Sequence, residues 1–365
     1  MNGILVRQEL ERLVREGAVR GLTPVGPAQL QPSSLDLRLG ARAWELRCSF
    51  LPGAAGVARR LGALALDEVA LDADRPTVLR HGAIYLVEVE EVLALPPGLS
   101  GRANPKSSTG RLDVFARLLT ERGYAFDTVP EGYAGRLYLE VTPQSFHVAV
   151  RRGDCLGQLR LARGRSRLDR DDLLALQSES PVVVWQDGRA ASVSDDADAP
   201  GIELSVDLHA GDAGVVGYRA RHHQPAIDLA RRDLPRERYW TPLAADPGDE
   251  GHVLEPEAFY IFATRERLRI PPHLCAELVP FDATKGELRT HYAGFIDSGF
   301  GWDPAGTAGA RLVLEIRTHD VPFLLEHGQP LFRLELLRNA AVPDSLYGTG
   351  SHYQMQGLKL AKQFR

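Results

Sequence analysis

The residues most able to do chemistry in this sequence are one carboxyl and one basic segment, far apart in the chain. Glu315 stands among aliphatic residues in the run 312–316, where burial would raise its pKa toward neutrality and let it take up and release a proton. Ser107, Ser108 and Arg111 follow the pattern Ser-Ser-x-x-Arg. Taken alone, such a glutamate can equally face solvent, and such a serine-arginine segment is usually a turn.

Motifs for other chemistries are missing from the sequence. It has no His-x-Glu with Pro-Cys-x-x-Cys zinc-deaminase pattern, no Gly-x-x-x-x-Gly-Lys loop and no Gly-x-Ser-x-Gly elbow. Its cysteines, Cys48, Cys155 and Cys275, are odd in number and widely spaced, which argues against a disulfide framework and a zinc knuckle. We therefore expect a zinc-independent protein in a reducing, cytoplasmic setting.

The net charge of the protein narrows the classes of partner that it could bind. The formal net charge is −5 over 365 residues and the isoelectric point is near 6.1, which disfavours a general nucleic-acid binder. Charged residues interrupt the apolar positions of the N-terminal stretch 1–19, so it predicts a soluble amphipathic helix rather than a signal peptide. No apolar run approaches the length of about 20 residues that a membrane span needs, and we expect no membrane association.

An internal repeat organises the chain. Residues 79–99 match 254–274, so that Leu79 corresponds to Leu254, 175 positions later. The runs 136–141 and 311–316 keep the same offset, and 34–40 resembles 205–211. A domain-length repeat predicts two tandem copies of one domain, and we place them at 1–164, the front half, and 165–365, the rear half.

Each half is expected to be all-β. Short β-branched or aromatic runs alternate with Gly or Pro about every 8 to 12 residues, which is typical of an antiparallel sandwich or barrel. Helix is predicted only near residues 4–16 and 168–176. The polar stretch 186–201 predicts a surface loop.

Four stretches carry a resemblance to a known family. These are 31–40, 106–111, 291–301 with the following strand, and 347–357. Over nearly its full length the chain resembles the dCTP deaminase branch of the dUTPase-like superfamily. The resemblance implies two tandem dUTPase-like domains, each a distorted β-barrel or jelly roll with a few short helices. It also implies a homo-oligomer, with a trimer favoured over a pairing of two chains.

The two halves are degenerate in complementary ways. The front half keeps the Ser-Ser-x-x-Arg segment and has lost the Ala-Gly-x-Ile-Asp hairpin that the family carries, while the rear half keeps that hairpin at 293–297 and has lost the Ser/Arg segment. In the resembling family the site lies between subunits. We therefore predict one composite site built from both halves, with the second cleft between domains inactive and Glu140, the repeat equivalent of Glu315, structural or vestigial.

The resemblance implies specific roles. Glu315 would act as general base and then general acid, Ser107 would hold the attacking water or the amino group, and Arg111 would stabilise developing charge and contact phosphate. Lys106 stands where the family usually has arginine, which keeps the charge and loses bidentate geometry. The expected substrate-binding residues are Lys106, Ser108, Ala293, Gly294, Ile296, Asp297, Phe300, Tyr353, Gln356, Lys359 and Lys362.

The expected reaction is hydrolytic deamination of dCTP to dUTP and ammonia. Magnesium would arrive with the triphosphate, held mostly by phosphate and water, and no metal would be held by the protein. A dUTP diphosphatase of the same fold, or an enzyme performing both steps, is the nearest alternative, with Asp297 orienting a water at the α-phosphate. A non-catalytic nucleotide-sensing protein is the alternative from another class.

Overall fold

The structure is a computed structural model that describes residues 2–194, 200–209, 214–245, 248, 250–280, 288–290, 294–305, 309–318, 320–348 and 357–365. Most of the regular structure is strand, and the expected all-β fold class is confirmed. Ala293, Tyr353 and Gln356 lie outside the described residues.

The front half contains strands β1 to β12 and helices α1 to α3. The strands are β1 Gly3–Ile4, β2 Val19–Gly21, β3 Leu35–Leu46, β4 Ala65–Ala70, β5 Thr77–Leu79, β6 Ile84–Ala94, β7 Leu99–Pro105, β8 Val114–Thr120, β9 Thr128–Val129, β10 Ala134–Pro143, β11 Val148–Val150 and β12 Cys155–Arg163. The helices are α1 Arg7–Arg15, α2 Val57–Leu64 and α3 Ser107–Gly110, with a short 3-10 turn at Pro27–Gln29. The main sheet has the strand order β8-β10-β6-β3-β12-β7-β9.

The rear half contains helices α4 Arg170–Glu179 and α5 Arg236–Tyr239. Its strands are β13 Val183–Val184, β14 Ile202–Ser205, β15 Val215–Ala220, β16 Ile227–Asp228, β17 Trp240–Ala244, β18 His252–Leu254, β19 Phe259–Ala263, β20 Arg267–Leu268, β21 Leu274–Pro280, β22 Leu288–Thr290, β23 Phe295–Ile296, β24 Val313–Thr318, β25 Phe323–Leu325 and β26 Pro330–Arg338. Two sheets dominate, with the orders β14-β26-β21-β23 and β17-β15-β19-β24-β22.

Several strand bounds keep the offset of the sequence repeat. Strands β7 and β21 begin at Leu99 and Leu274, and β12 and β26 begin at Cys155 and Pro330, each 175 positions apart. Strand β6 pairs with β10 as β19 pairs with β24. Long runs in these strands are apolar on both faces because both faces are covered by other parts of the protein.

The expected helices and loop can be compared directly with the structure. The first predicted helix is α1 and the second is α4, which begins after Asp169, whose carboxylate accepts a hydrogen bond from the Asp172 backbone N–H at 3.0 Å. The described part of 186–201 contains isolated bridges only, between β13 and β14. No helix in the described part of the chain is long and apolar enough to cross a membrane.

The largest hydrophobic core joins the two halves. Beside front-half residues it contains Trp240, Phe259 and Val313 from the rear half, and Leu360 and Ala361 from the C-terminal tail. Strand β16 also pairs in parallel with β11 of the front half. This continuity of packing means that strand β24 of the rear half borders front-half residues.

The tail 357–365 is packed against the rest of the protein, with Leu360 and Ala361 in the main hydrophobic core. Phe364 lies against Tyr239 and Trp240, with ring centroids 5.4 and 5.8 Å away. The backbone of Leu234 exchanges hydrogen bonds with Gln363 and Arg365. The rings of Tyr239 and Trp240 in turn contact Phe146 of the front half, so the tail packs on an aromatic cluster shared by the two halves.

Candidate active site

The Ser/Arg segment forms a short helix at the end of a strand. Strand β7 ends at Pro105, the Lys106 N–H donates to the carbonyl of Leu156 at 2.9 Å, and the Arg111 N–H closes the turn on Ser107 at 3.1 Å. Ser107 is exposed, Ser108 is half-buried and Arg111 is buried. The pairing of β7 with β12 therefore fixes where this segment leaves the sheet.

Residues of both halves line one cleft. Its lining comprises Pro105, Lys106, Ser107, Arg111, Leu278, Gly294, Phe295, Ile296, Asp297, Phe300, Leu312, Val313, Glu315 and Tyr347. The structure thus brings Lys106, Ser107 and Arg111 to Glu315 within a single chain. Ser108 does not line this cleft, and Tyr347 lines it without having been expected.

Glu315 and Arg111 form the centre of the cleft. Arg111 Nε lies 4.0 Å from Glu315 Oε1, and both side chains are almost completely buried. Arg111 Nη1 also donates to the Lys359 carbonyl at 2.8 Å. Burial raises the pKa of Glu315 to about 8, while Arg111 opposes that rise and Asp113 adds to it. The carboxyl is therefore poised to exchange a proton near neutral pH.

Asp297 is fixed by two front-half residues that sequence reasoning did not select. Ser33 Oγ donates to Asp297 Oδ1 at 2.6 Å, and Arg160 Nη2 lies 3.2 Å from the same oxygen. Arg160 is fully buried and its guanidinium stands 4.2 Å from the centroid of the Phe295 ring. The signal for Arg160 is that it is the lone cation in the mainly apolar run 155–162, and Ser33 lies in the stretch 31–40.

The hairpin that carries Asp297 closes tightly on the segment before the tail. Gly299 has φ +94°, and a Cβ there would lie 2.8 Å from the Cβ of Leu346. The Tyr347 N–H donates to the Ser298 carbonyl at 2.8 Å, and the Tyr347 ring lies 5.5 Å from that of Phe300. Glycine is required at 299 by both its conformation and its close contact.

Positive charge gathers at the Lys106 end of the cleft. Lys106 Nζ pairs with the buried carboxylate of Asp36. Burial raises the pKa of Asp36, and Lys106 opposes this. Burial lowers the pKa of Lys362, and the neighbouring cations Arg232 and Lys106 lower it further. Crowded cations of this kind favour an anionic ligand such as a phosphate group.

Glu140 occupies a different environment from Glu315. Its Oε1 accepts a hydrogen bond from Arg117 Nη2 at 2.5 Å, and Arg117 lies 3.8 Å from the centroid of the Phe126 ring. Phe50 and Val57, from the segment 47–64 that follows β3, pack with Leu119 and Tyr138 on this face of the sheet. Glu140 is therefore closed in by its own half.

The described residues contain no group of three or more His, Cys, Asp or Glu side chains that could hold a metal ion. Asp36, the buried carboxylate nearest the cationic end, is already paired with Lys106. Its surroundings suit phosphate oxygens better than a metal held by protein ligands alone.

Comparisons with known proteins agree with this architecture. Residues 1–165 match the model of the 2'-deoxycytidine 5'-triphosphate deaminase N-terminal domain, and residues 169–364 match the model of its C-terminal domain. The crystal structure of 2'-deoxycytidine 5'-triphosphate deaminase from Agrobacterium tumefaciens superposes with a TM-score of 0.83 at 41% identity, covering 93% of this chain and 99% of that one.

Curated relatives are more distant. A "dCTP deaminase, dUMP-forming" from Acidothermus cellulolyticus is 32% identical over 146 residues, which is 40% of this chain and 72% of the relative. One of the same description from Parafrankia sp. is 33% identical over 161 residues, or 44% of this chain and 76% of the relative. Fold, cleft and matches define a nucleotide deaminase. The two domain models together span nearly the whole sequence, and the chain belongs to the dCTP deaminase family.

Proposed function

We propose that this protein deaminates dCTP to dUTP and ammonia in the cleft between its halves. The observation that carries the proposal is the buried Glu315 beside Arg111, on one wall of a cleft whose other wall bears Ser107. An isolated buried carboxyl is costly to ionise, so its placement beside a cation suits a group that changes charge during a reaction.

Glu315 would move the protons of the reaction. Its carboxylate takes a proton from a water that attacks C4 of cytosine, and the protonated acid then donates to ring N3. A second proton passes from the tetrahedral hydroxyl through Glu315 to the amino group, which leaves as ammonia while the C4 carbonyl forms. A pKa of about 8 is close enough to the working pH for both directions of transfer.

Arg111 and Ser107 would orient the reacting groups. Arg111 Nε faces Glu315 at 4.0 Å while Nη1 is held by the Lys359 carbonyl, so the guanidinium can stabilise the charge that develops during attack. The exposed Ser107 hydroxyl lies on the cleft wall, and would hold the water or the amino group. Arg111 would also contact phosphate.

The rear hairpin would recognise the nucleoside. Backbone groups of Ala293, Gly294 and Ile296 would meet the pyrimidine edge, and Phe300 would pack on the deoxyribose. Asp297 would accept a hydrogen bond from the 3'-hydroxyl, with its carboxylate held in place by Ser33 and Arg160. A preformed acceptor of this kind lowers the entropy cost of orienting the sugar.

The cationic end would receive the triphosphate. Lys106 lies close enough to Lys362 to lower the pKa of Lys362, and we propose that these two lysines, with Ser108 and Lys359, bind its oxygens. Tyr353 and Gln356 would close over the base and phosphates. Magnesium would come with the nucleotide, bound by phosphate and water oxygens.

The names of the curated relatives favour a second candidate, in which dUTP is hydrolysed further to dUMP and pyrophosphate. That step would use Asp297 to orient a water. One oxygen of Asp297 already accepts from Ser33 and Arg160, which favours a positioning role, and we place the deaminase reaction first.

Incubation with dCTP distinguishes these activities. Release of ammonia with dUTP supports the first proposal, and ammonia with dUMP and pyrophosphate supports the second. Pyrophosphate release from added dUTP, without ammonia from dCTP, would identify a diphosphatase. Tight dCTP binding without turnover, unaltered by Glu315→Gln, would instead identify a nucleotide sensor.

Zinc independence and assembly form separate parts of the proposal. A zinc-selective chelator should leave ammonia release unchanged, and full inhibition would contradict a mechanism based on Glu315 alone. Sedimentation of the purified protein measures the subunit number, for which the family resemblance favours a trimer. Fractionation of cells tests the expected cytoplasmic location.

A further inference from the structure

Strand β24 carries a second charged side chain, Arg317, on the face that bears Glu315. Alternate residues of a strand point to the same side, so Val313, Glu315 and Arg317 share one face. Val313 packs in the core that is built mainly from the front half. The segment opposite also carries two charges, Arg111 and Asp113, in the reverse order of sign.

These charges meet in two neighbouring pairs. Arg111 faces Glu315 at 4.0 Å, and Arg317 Nη1 lies 2.5 Å from Asp113 Oδ2. Ser145 Oγ donates to the same Asp113 oxygen at 2.5 Å. Asp113 is completely buried and the side chain of Arg317 is 11% exposed, so the second pair is shielded from solvent and its attraction is strong.

The backbone holds Asp113 firmly in place. Its φ is +55°, a left-handed conformation that aspartate tolerates better than most residues. Its N–H donates to the Gly110 carbonyl at 2.8 Å, and its own carbonyl accepts from Gln144 at 2.8 Å. The carboxylate that receives Arg317 is therefore set by the same turn that ends helix α3.

Without Asp113, Arg317 would be free to turn toward Glu315. An arginine two residues along the same strand face is long enough to reach the acid, and a second cation there would hold the acid in its charged form. Asp113 neutralises that cation and also raises the pKa of Glu315 through its own charge. Both effects favour reprotonation of Glu315.

The equivalent strand of the front half lacks this second cation. The position of Arg317 corresponds to Thr142 in β10, as the position of Glu315 corresponds to Glu140. Arg317 thus accompanies Glu315 in the cleft, whereas the equivalent position beside Glu140, which the front half encloses, carries no charge.

Other charged groups face this pair from neighbouring elements. Beyond β15, His222 lies near Arg317, and burial, followed by the neighbouring His81 and Arg317, lowers the pKa of His222. His222 is therefore neutral at neutral pH and leaves Asp113 as the group that balances Arg317. Arg219 adds further positive charge on that side, where His223 also lies.

We propose that Asp113 and Arg317 are positioning residues for the reaction, in which Asp113, supported by Ser145, holds Arg317 away from Glu315 and keeps the acid able to return its proton. This inference rests on the proposed function of Glu315. It assigns a role to an ion pair between halves that touches neither the base nor the phosphates in that proposal.

The test is the pH dependence of kcat/KM for dCTP in four proteins: wild type, Asp113→Asn, Arg317→Gln and the double variant. Activity should rise with pH as Glu315 ionises. Asp113→Asn should move this rising part of the pH profile to lower pH, and Arg317→Gln should move it to higher pH, each by on the order of one pH unit. The double variant should fall between them.

The decisive result is that the pH profiles of Asp113→Asn and Arg317→Gln shift in opposite directions. Disrupted packing would lower the activity of both variants without shifting their pH profiles in opposite directions. Profiles that stay in place, or that move in the same direction, would overturn the inference. If Asp113→Asn does not fold, Ser145→Ala replaces it and should give a smaller shift to lower pH; no shift would again contradict the inference. Full ammonia release by Glu315→Gln would instead refute the proposed function.

Discussion

Strands β10 and β24 occupy equivalent places in the two halves, and each carries a glutamate at its centre. Glu140 lies on the face with Tyr138, which packs against the segment 47–64 of its own half. Glu315 lies on the face with Val313, which packs against the other half. The same position in the repeat therefore yields an enclosed carboxylate in one half and a cleft in the other.

The segments that follow β3 and β15 explain this difference. In the front half, the 47–64 segment folds back, with the Gly53 and Val57 N–H groups donating to the carbonyls of Gly123 and Glu121 at 2.7 and 3.0 Å. In the rear half, the corresponding segment 221–239 crosses to the front half, where β16 joins β11. The segment 47–64 covers Glu140 within the front half. The segment 221–239 leaves Glu315 uncovered by the rear half, so Glu315 faces the front half.

The largest expected difference between the two acids is in catalysis. Glu315→Gln should reduce kcat for ammonia release by about a thousandfold, since a general base of this kind contributes that order of rate. Its Kd for dCTP should change little, because glutamine keeps the shape of the side chain. Glu140→Gln is the matched control and should retain activity within about twofold. Equal losses in both variants would refute the distinction.

A smaller loss is expected from the arginine beside each acid. Arg111→Lys should lower kcat/KM by about a hundredfold, because lysine lacks the fork that contacts both Glu315 and the Lys359 carbonyl. Arg117→Lys keeps a cation beside Glu140 and should leave kcat/KM unchanged. Steady-state kinetics of the two purified variants measures kcat/KM for each. An equal loss of kcat/KM in Arg117→Lys would contradict the expected difference between the two arginines.

The buried acid of the cleft, Glu315, should also make the stability of the protein depend on pH. The folded-state pKa of Glu315, about 8, lies above its ordinary value of 4.5, so the stability it supports is present at low pH and is lost as pH rises toward 8. Between about pH 6 and 8, the free energy of unfolding of wild type should fall by about 2 kcal/mol more than that of Glu315→Gln. Urea unfolding of both proteins at these pH values measures it. If Glu315→Gln keeps the same pH dependence of its unfolding free energy as wild type, the titration does not belong to Glu315.

The smallest effect concerns the enclosed ion pair. Arg117→Met should lower the free energy of unfolding by about 1 kcal/mol, because it leaves the buried Glu140 carboxylate without its cation while Arg117 itself is partly exposed. The kcat/KM for dCTP should remain that of wild type. A fall in activity without a fall in stability would show that this half also takes part in catalysis.

The repeat and the motifs predicted much of the fold, because the offset of 175 and the spacing of turn residues are local properties of the sequence. The family resemblance, rather than the repeat itself, implied that segments near 107 and 315 come together. The Arg160 to Asp297 pair, the covering of Glu140 by 47–64 and the packed tail were not predicted. Each depends on how distant segments pack, which periodicity does not encode.

Nucleotide stoichiometry tests the central claim most directly. Calorimetric titration of the slow Glu315→Gln protein with dCTP counts sites without turnover. If the cleft between Ser107 and Glu315 binds nucleotide and the face of Glu140 is closed, one dCTP should bind per chain. Two equivalent nucleotides per chain would contradict the account, since the front-half acid would then also lie in an open site.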